Sequence, residues 1–75
     1  MPYYRDEKII KAFGKTIKKY RLLAGFSQEE LADRSELDLT QIGRIERGIT
    51  NTSISIANKL AKALNVSIKE LFENE

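Results

Sequence analysis

Residues 27–48 read SQEELADRSELDLTQIGRIERG, and this stretch decides the fold. Ser27 is a preferred helix N-cap, and Glu30 follows it at the spacing of a capping box. Apolar residues then recur at helical spacing, with a break at residues 35–37 and a further candidate N-cap at Asp38. The pattern predicts two short helices joined by a tight turn, at residues 28–34 and 39–47.

The second helix of this pair has two faces of different character. On a helical wheel, Ile42 and Ile45 share the buried side. The opposite side offers a short hydroxyl, a missing side chain and two guanidinium groups, which belong to Thr40, Gly43, Arg44 and Arg47. Because glycine inside a helix costs about 1 kcal/mol relative to alanine, its presence indicates a surface that comes close to an anionic partner. The alternative is that Gly43 is tolerated at an exposed site and that the arginines form a solvated face.

Three further helices are predicted around this pair. The first spans residues 6–24, and Gly25 is expected to end it in a left-handed conformation. A fourth helix follows the candidate caps at residues 51–53, and Asn65 ends it. A fifth helix opens at the capping box of residues 67–70. No stretch alternates long enough to indicate a sheet, so the expected class is all-α.

The composition limits the size of the fold and its chemistry. The 75 residues are enough for one domain, so residues 1–75 are expected to form a single domain with residues 1–5 as an irregular arm. The absence of Cys and His excludes disulfides, zinc sites and histidine catalysis, and we expect no metal, no cofactor and no enzymatic activity. The net charge of +2 is only mildly basic. Without a membrane-length apolar run or a signal peptide, a cytoplasmic protein with no membrane partner and no small-molecule substrate is expected.

Residues 28–47 resemble the helix-turn-helix of the phage-repressor-like Xre family. The matching positions are Gln28, Leu31, Ala32, Ile42, Ile45 and the Glu46-Arg47-Gly48 ending. The similarity extends from about Phe13 to Phe72, and residues 37–40 are also similar to restriction–modification controller proteins, which belong to this family. The resemblance implies a compact repressor-like DNA-binding domain whose second and third helices form the helix-turn-helix. It also implies a transcriptional regulator that binds double-stranded DNA sequence-specifically, with residues 39–47 in the major groove.

The turn between these two helices departs from the family pattern. The family has Gly in the turn where this chain has Glu36. Either Glu36 takes a left-handed conformation at some cost, or the turn differs locally.

The resemblance also assigns the site residues. Its base-reading positions fall on Leu39, Thr40, Gly43 and Arg44. Its phosphate-binding positions fall on Gln28, Arg47 and Asn51. Leu39 suits only an apolar contact with a thymine methyl, and the alternative is that it packs at the edge of the domain. The family's ion pair between the first helix and the end of the recognition helix falls on Arg21 and Glu46, as a structural pair.

A homodimer on a DNA operator is expected, because one such domain contacts only a few base pairs. Its interface is expected on the C-terminal half, around Val66, Ile68 and Phe72, with Ile54 or Ile49 beside them. The alternative is that Leu71 and Phe72 cap the monomer core, and the Tyr3–Tyr4 arm is the next candidate interface.

A different function is an antitoxin-like protein-interaction module with the same fold. Leu22 and Leu23 favour it, because the family has polar residues at these positions and the two leucines could expose an apolar patch. Co-purification of a second protein would distinguish this function from operator binding.

Overall fold

In the computed structural model, the described residues are 4–73, and they form five α-helices and no strand. The helices are α1 (Glu7–Leu23), α2 (Gln28–Ser35), α3 (Leu39–Glu46), α4 (Ile54–Leu64) and α5 (Ile68–Leu71). The all-α class is confirmed, and the expected bounds of the first three helices agree within one residue. None of the helices in this part of the chain has both the length and the apolar character needed to span a bilayer.

Side-chain caps begin four of these five helices. A side-chain oxygen accepts a hydrogen bond from the backbone N–H three residues later at Asp6, Ser27, Ser53 and Ser67. The capping box expected at the start of α5 is present. Two details differ from expectation. The Glu30 carboxylate accepts hydrogen bonds of 3.1 and 3.0 Å from Arg34, one turn later, instead of returning to Ser27. Asp38 occupies the N-cap position of α3 without a side-chain hydrogen bond.

Left-handed residues follow four of the five described helices, and Gly25 and Asn65 end theirs as the sequence predicts. Gly25 and Gly48 have φ angles of 78° and 74°, and Asn65 has 58°. Glu36 adopts the same conformation, with φ 60° and ψ 37°, so the first of the two alternatives for this turn is correct. The backbone N–H of Leu37 closes the turn by donating to the Ala32 carbonyl at 3.0 Å. A non-glycine residue in the left-handed conformation costs about 1–2 kcal/mol, so Glu36 makes the turn less stable by about this amount than glycine would.

The core forms where α1 packs against α3, α4 and α5, and where α2 packs against α3 and α4. Its fully buried large side chains are Ile17, Leu31, Ile42, Ile45, Leu60 and Leu71. At Gly14 the two backbones of α1 and α3 come together, since a Cβ there would overlap the carbonyl oxygen of Ile45. Because α1 holds α3 so closely from one side, the opposite side of α3 is left at the surface.

The N-terminal arm lies against the loop that follows α3. Arg5 donates a hydrogen bond of 2.9 Å to the Ile49 carbonyl, and Asn51 donates one of 3.4 Å to the Tyr4 carbonyl. The Arg5 guanidinium also hydrogen-bonds Glu7 and holds the pKa of that carboxyl below its usual range. Of the arm expected at residues 1–5, the first three residues, including Tyr3, lie outside the described residues.

Candidate nucleic-acid interface

The outer face of α3 presents the polar residues that the helical wheel placed there. Thr40, Arg44 and Arg47 are exposed, and Leu39 keeps 45% of its surface in solvent. On the inner face, Ile42 and Ile45 are buried at 0% and 1% exposure. The buried isoleucines therefore determine which side of α3 faces the core and which side faces outward.

Arg44 and Arg47 differ from the other arginines in having no carboxylate partner among the described residues. Arg5, Arg21 and Arg34 each form an ion pair. Within residues 4–73, neither Arg44 nor Arg47 takes part in any ion pair or side-chain hydrogen bond. Since no acidic group of the described chain neutralises them, the two guanidiniums present uncompensated positive charge on one face of one helix. Guanidinium groups bind phosphates and guanine edges with two parallel hydrogen bonds.

Gly43 occupies the outer face but is buried, which differs from the bare, exposed position expected. The Arg47 side chain lies over it. A Cβ added at Gly43 would lie 3.2 Å from a terminal guanidinium nitrogen of Arg47 and 3.9 Å from its Cζ. The missing side chain therefore leaves space that Arg47 fills.

Beneath this face, a buried polar network joins three segments of the fold. Arg21 of α1 donates to the two carboxylate oxygens of Glu46 at 2.7 and 3.2 Å, and to the Phe26 carbonyl at 2.8 Å. The side chains of Arg21 and Glu46 are only 10% and 3% exposed. This is the geometry expected of the structural pair, and it ties α1 to the last residue of α3.

Gln28 belongs to the same network, which the sequence did not reveal. Its side-chain amide donates to the Glu46 carboxylate at 3.0 Å, so it links the start of α2 to the end of α3. The two residues are separated by 18 positions, and no local pattern signals the contact. As a result, the Gln28 side chain, which was expected to contact phosphate, is engaged by Glu46, while the backbone N–H at a helix start has no intrahelical partner.

The residues expected at a dimer interface have different degrees of exposure. Phe72 is 50% exposed and its ring stacks on Phe13 at 5.1 Å between centroids. Val66 and Ile68 are partly buried against the core, and Leu71 is fully buried. Leu71 therefore caps the monomer core, as the alternative held, while Phe72 is shared between the core and the surface. Two further exposed apolar residues are Ile49 and Ile54, at 52% and 78%.

Comparison with known proteins identifies the family. A family model described as Helix-turn-helix matches residues 17–71. The control protein C.SmaI of Serratia marcescens is 41% identical over 59 residues, covering 79% of this chain and 70% of that protein. The crystal structure of the restriction-modification controller protein C.AhdI from Aeromonas hydrophila has 41% identity and a TM-score of 0.82, covering 84% of this chain and 96% of that one.

A solved complex with DNA is also similar. The crystal structure of SinR, the master regulator for biofilm formation, in complex with DNA has 35% identity and a TM-score of 0.77. The match covers 81% of this chain and 98% of that one. With well over half of its residues matched by the family model, the chain belongs to the Xre-type helix-turn-helix family of DNA-binding transcriptional regulators.

Proposed function

We propose that this protein regulates transcription by binding a specific double-stranded DNA operator, with the outer face of α3 in the major groove. The observation that carries the proposal is the pair of arginines, Arg44 and Arg47, that lack a carboxylate partner in residues 4–73 and share that exposed face. A major groove about 12 Å wide admits one α-helix. Bringing α3 into it would give both guanidiniums the anionic or acceptor partners that the protein itself does not provide.

The base-reading surface that we propose consists of Leu39, Thr40, Gly43 and Arg44. Arg44 suits the O6 and N7 acceptors of a guanine, and the Thr40 hydroxyl suits either a donor or an acceptor on a base edge. Leu39 lies at the first turn of α3 and is 45% exposed, and we assign it an apolar contact with a thymine methyl.

Phosphate contacts are proposed for Arg47, Gln28 and Asn51. The Gln28 side chain already donates to Glu46, so its contribution is assigned to the backbone N–H at the start of α2, where the helix dipole favours an anion. The Asn51 amide donates to the Tyr4 carbonyl through a long contact of 3.4 Å, which a phosphate oxygen could replace.

The assembly that we propose is a homodimer that joins two such domains through Val66, Ile68 and Phe72. Two copies related by a two-fold axis would bind two half-sites about 34 Å apart, and the contacts of the second copy would supply the affinity that one short helix lacks. The half-exposed ring of Phe72 supports this location. Residues 1–75 are proposed to act as one cytoplasmic domain, without catalysis, cofactor or small-molecule substrate.

Selection of bound sites from random DNA, at two stated salt concentrations, tests this function. We expect Arg44→Ala to relax the selected sequence at one or two base pairs, at a cost of about 1–3 kcal/mol. Arg47→Ala should instead weaken binding to all sequences and reduce the salt slope by about one unit. Arg34→Ala is the matched control, since it removes the same charge from an arginine already paired with Glu30. An unchanged consensus with Arg44→Ala would reject the base-reading role.

A second candidate function is an antitoxin-like interaction with another protein. It is favoured by Leu22 and Leu23, which stand side by side at the end of α1 and are 59% and 73% exposed. Contiguous exposed apolar side chains are typical of protein contacts. A co-purifying protein that is lost from the Leu22→Ser/Leu23→Ser variant would favour this function. Salt-sensitive operator binding that is unchanged in the same variant would favour the first.

A further inference from the structure

Arg47 reaches back along α3 to cover Gly43. Arg47 is the C-cap residue of the helix, and its backbone N–H donates to the Gly43 carbonyl at 3.1 Å. A helical side chain leans toward the turn that precedes its own Cα, which brings a residue over the position four before it. Among the described atoms beyond the chain neighbours and the helix backbone, only the tip of Arg47 lies within 4 Å of the place where a Gly43 Cβ would be.

We propose that Gly43 is a positioning residue, because its missing side chain leaves the space in which the Arg47 guanidinium lies against the outer face of α3. The inference rests on the proposed phosphate contact of Arg47. Arginine loses considerable rotamer freedom when a partner fixes it, and a guanidinium that is already seated loses less. A side chain at residue 43 would push the guanidinium away from the helix and out of the orientation in which it meets DNA.

The other glycines of the chain have structural reasons that Gly43 lacks. The sequence contains four glycines, at residues 14, 25, 43 and 48. Gly25 and Gly48 have positive φ angles, and a Cβ at Gly14 would overlap the backbone of α3. Gly43 has neither constraint, since the atoms facing it are the end of a flexible side chain that could move. Folding alone therefore does not require glycine at this position, where alanine would be the better helix former.

The same observation argues against simple clearance for DNA. If Gly43 served only to let the DNA come close, the position would be open at the surface, yet it is covered by Arg47. The group that an approaching DNA would meet above residue 43 is the guanidinium. The contribution of Gly43, which was proposed above as part of the base-reading surface, is therefore exerted through Arg47 and not through a contact of its own with a base.

A double-mutant cycle between residues 43 and 47 tests the inference. The variants are Gly43→Ala, Gly43→Met, Arg47→Ala and the two double variants, each titrated against one operator duplex at fixed salt. Arg47→Ala is expected to weaken binding about tenfold, as the loss of one hydrogen-bonded charge contact does. Gly43→Met should weaken it by a similar factor and Gly43→Ala by less, because the guanidinium needs to move only a few tenths of an ångström for a single Cβ. In the Arg47→Ala background both substitutions should change affinity less than about twofold.

The outcomes distinguish a failure of this inference from a failure of the proposed phosphate contact of Arg47. Equal losses for Gly43→Met in both backgrounds would overturn the inference, because the side chain would then obstruct the DNA directly. Normal affinity of Arg47→Ala would overturn the phosphate contact itself. Melting curves of the same variants exclude a folding defect, since alanine and methionine both favour the helix and should not lower the melting temperature. NMR relaxation of the Arg47 Nε in the free protein measures the mobility of the guanidinium without DNA. This mobility should be greater in Gly43→Met than in the wild-type protein, and an unchanged mobility would contradict the proposed positioning of Arg47.

Discussion

Glu46→Ala is expected to destabilise the protein severely, although it removes a single side chain near the end of a short helix. The Glu46 carboxylate accepts hydrogen bonds of 2.7 and 3.2 Å from Arg21 and one of 3.0 Å from Gln28. Alanine would leave the Arg21 guanidinium, whose side chain is only 10% exposed, with the Phe26 carbonyl as its remaining partner. A buried charge without its counterion is the costly consequence.

The expected loss can be compared with the stability of the whole domain. Removing one partner of a buried ion pair costs about 3–5 kcal/mol. At roughly 0.05–0.15 kcal/mol per residue, a chain of 75 residues has a free energy of unfolding of about 4–11 kcal/mol. For a domain of this size each kcal/mol corresponds to about 4–8 °C in Tm, so we expect Tm to fall by at least about 12 °C.

Urea and thermal unfolding followed by circular dichroism measure this loss, and Glu30→Ala is the matched control. Glu30 also pairs with an arginine, but the side chains of Arg34 and Glu30 are 52% and 43% exposed. Such a pair contributes less than about 1 kcal/mol, so the control should melt close to the wild-type protein. The double variant Arg21→Met/Glu46→Leu should recover a large part of the loss, because no charge remains buried.

Two results would refute this reasoning. A Glu46→Ala protein that melts within about 4 °C of wild type would show that the network contributes no more than a surface pair. A double variant as unstable as the sum of its two single variants would show that the cost does not come from the uncompensated charge.

Two further predictions concern the dimer and the N-terminal arm. Ile68→Asp should give a folded monomer in sedimentation velocity, because a dimer would have to desolvate the new carboxylate at the proposed interface. Its operator binding should be much weaker, and an unchanged dimer would show that the interface lies elsewhere. Arg5→Ala should raise the pKa of Glu7 toward its usual value in an NMR titration of the carboxyl, because the hydrogen bond from Arg5 is the main cause of the lowering. Since the pKa of Glu7 is lowered in the folded state, the stabilisation from its carboxylate is present above the usual pKa and is lost as pH falls through the lowered value. A Glu7 pKa that does not respond to Arg5→Ala would contradict this prediction.

The features that the sequence predicted well depend on interactions within a few residues. A serine hydroxyl caps a helix by accepting a hydrogen bond from an N–H three residues away, and a glycine after the helix ends it by taking a left-handed conformation. Ser27, Ser67 and Gly25 behave as expected for this reason. At Glu36 the sequence left two alternatives open, because the family has Gly there and a glutamate side chain does not favour the left-handed conformation that the turn imposes.

Long polar side chains were harder to place, because they choose among partners that the fold brings together. Glu30 could reach its own N-cap or Arg34, and only the structure distinguishes the two. The contact of Gln28 with Glu46 depends on how α2 and α3 pack, which no local spacing reveals. Gly43 and Arg47 are different, since their four-residue spacing already implies contact on a helix. A helical wheel shows only the angle of each side chain around the axis. It does not show that the Arg47 side chain leans along the axis toward Gly43.

Residues 44–47, at the end of α3 and its C-cap, combine stability and the proposed recognition within one turn. Arg44 and Arg47 point outward, while Ile45 and the Glu46 carboxylate are buried. Apolar packing alone tolerates small rotations of a short helix, whereas the hydrogen bonds that Glu46 accepts are directional and come from two other segments, α1 and the start of α2. The carboxylate therefore restricts the rotation of α3 relative to α2. Because the two arginines are attached to the same turn, the network that stabilises the domain also sets the direction of the outer face of α3, which we propose meets DNA.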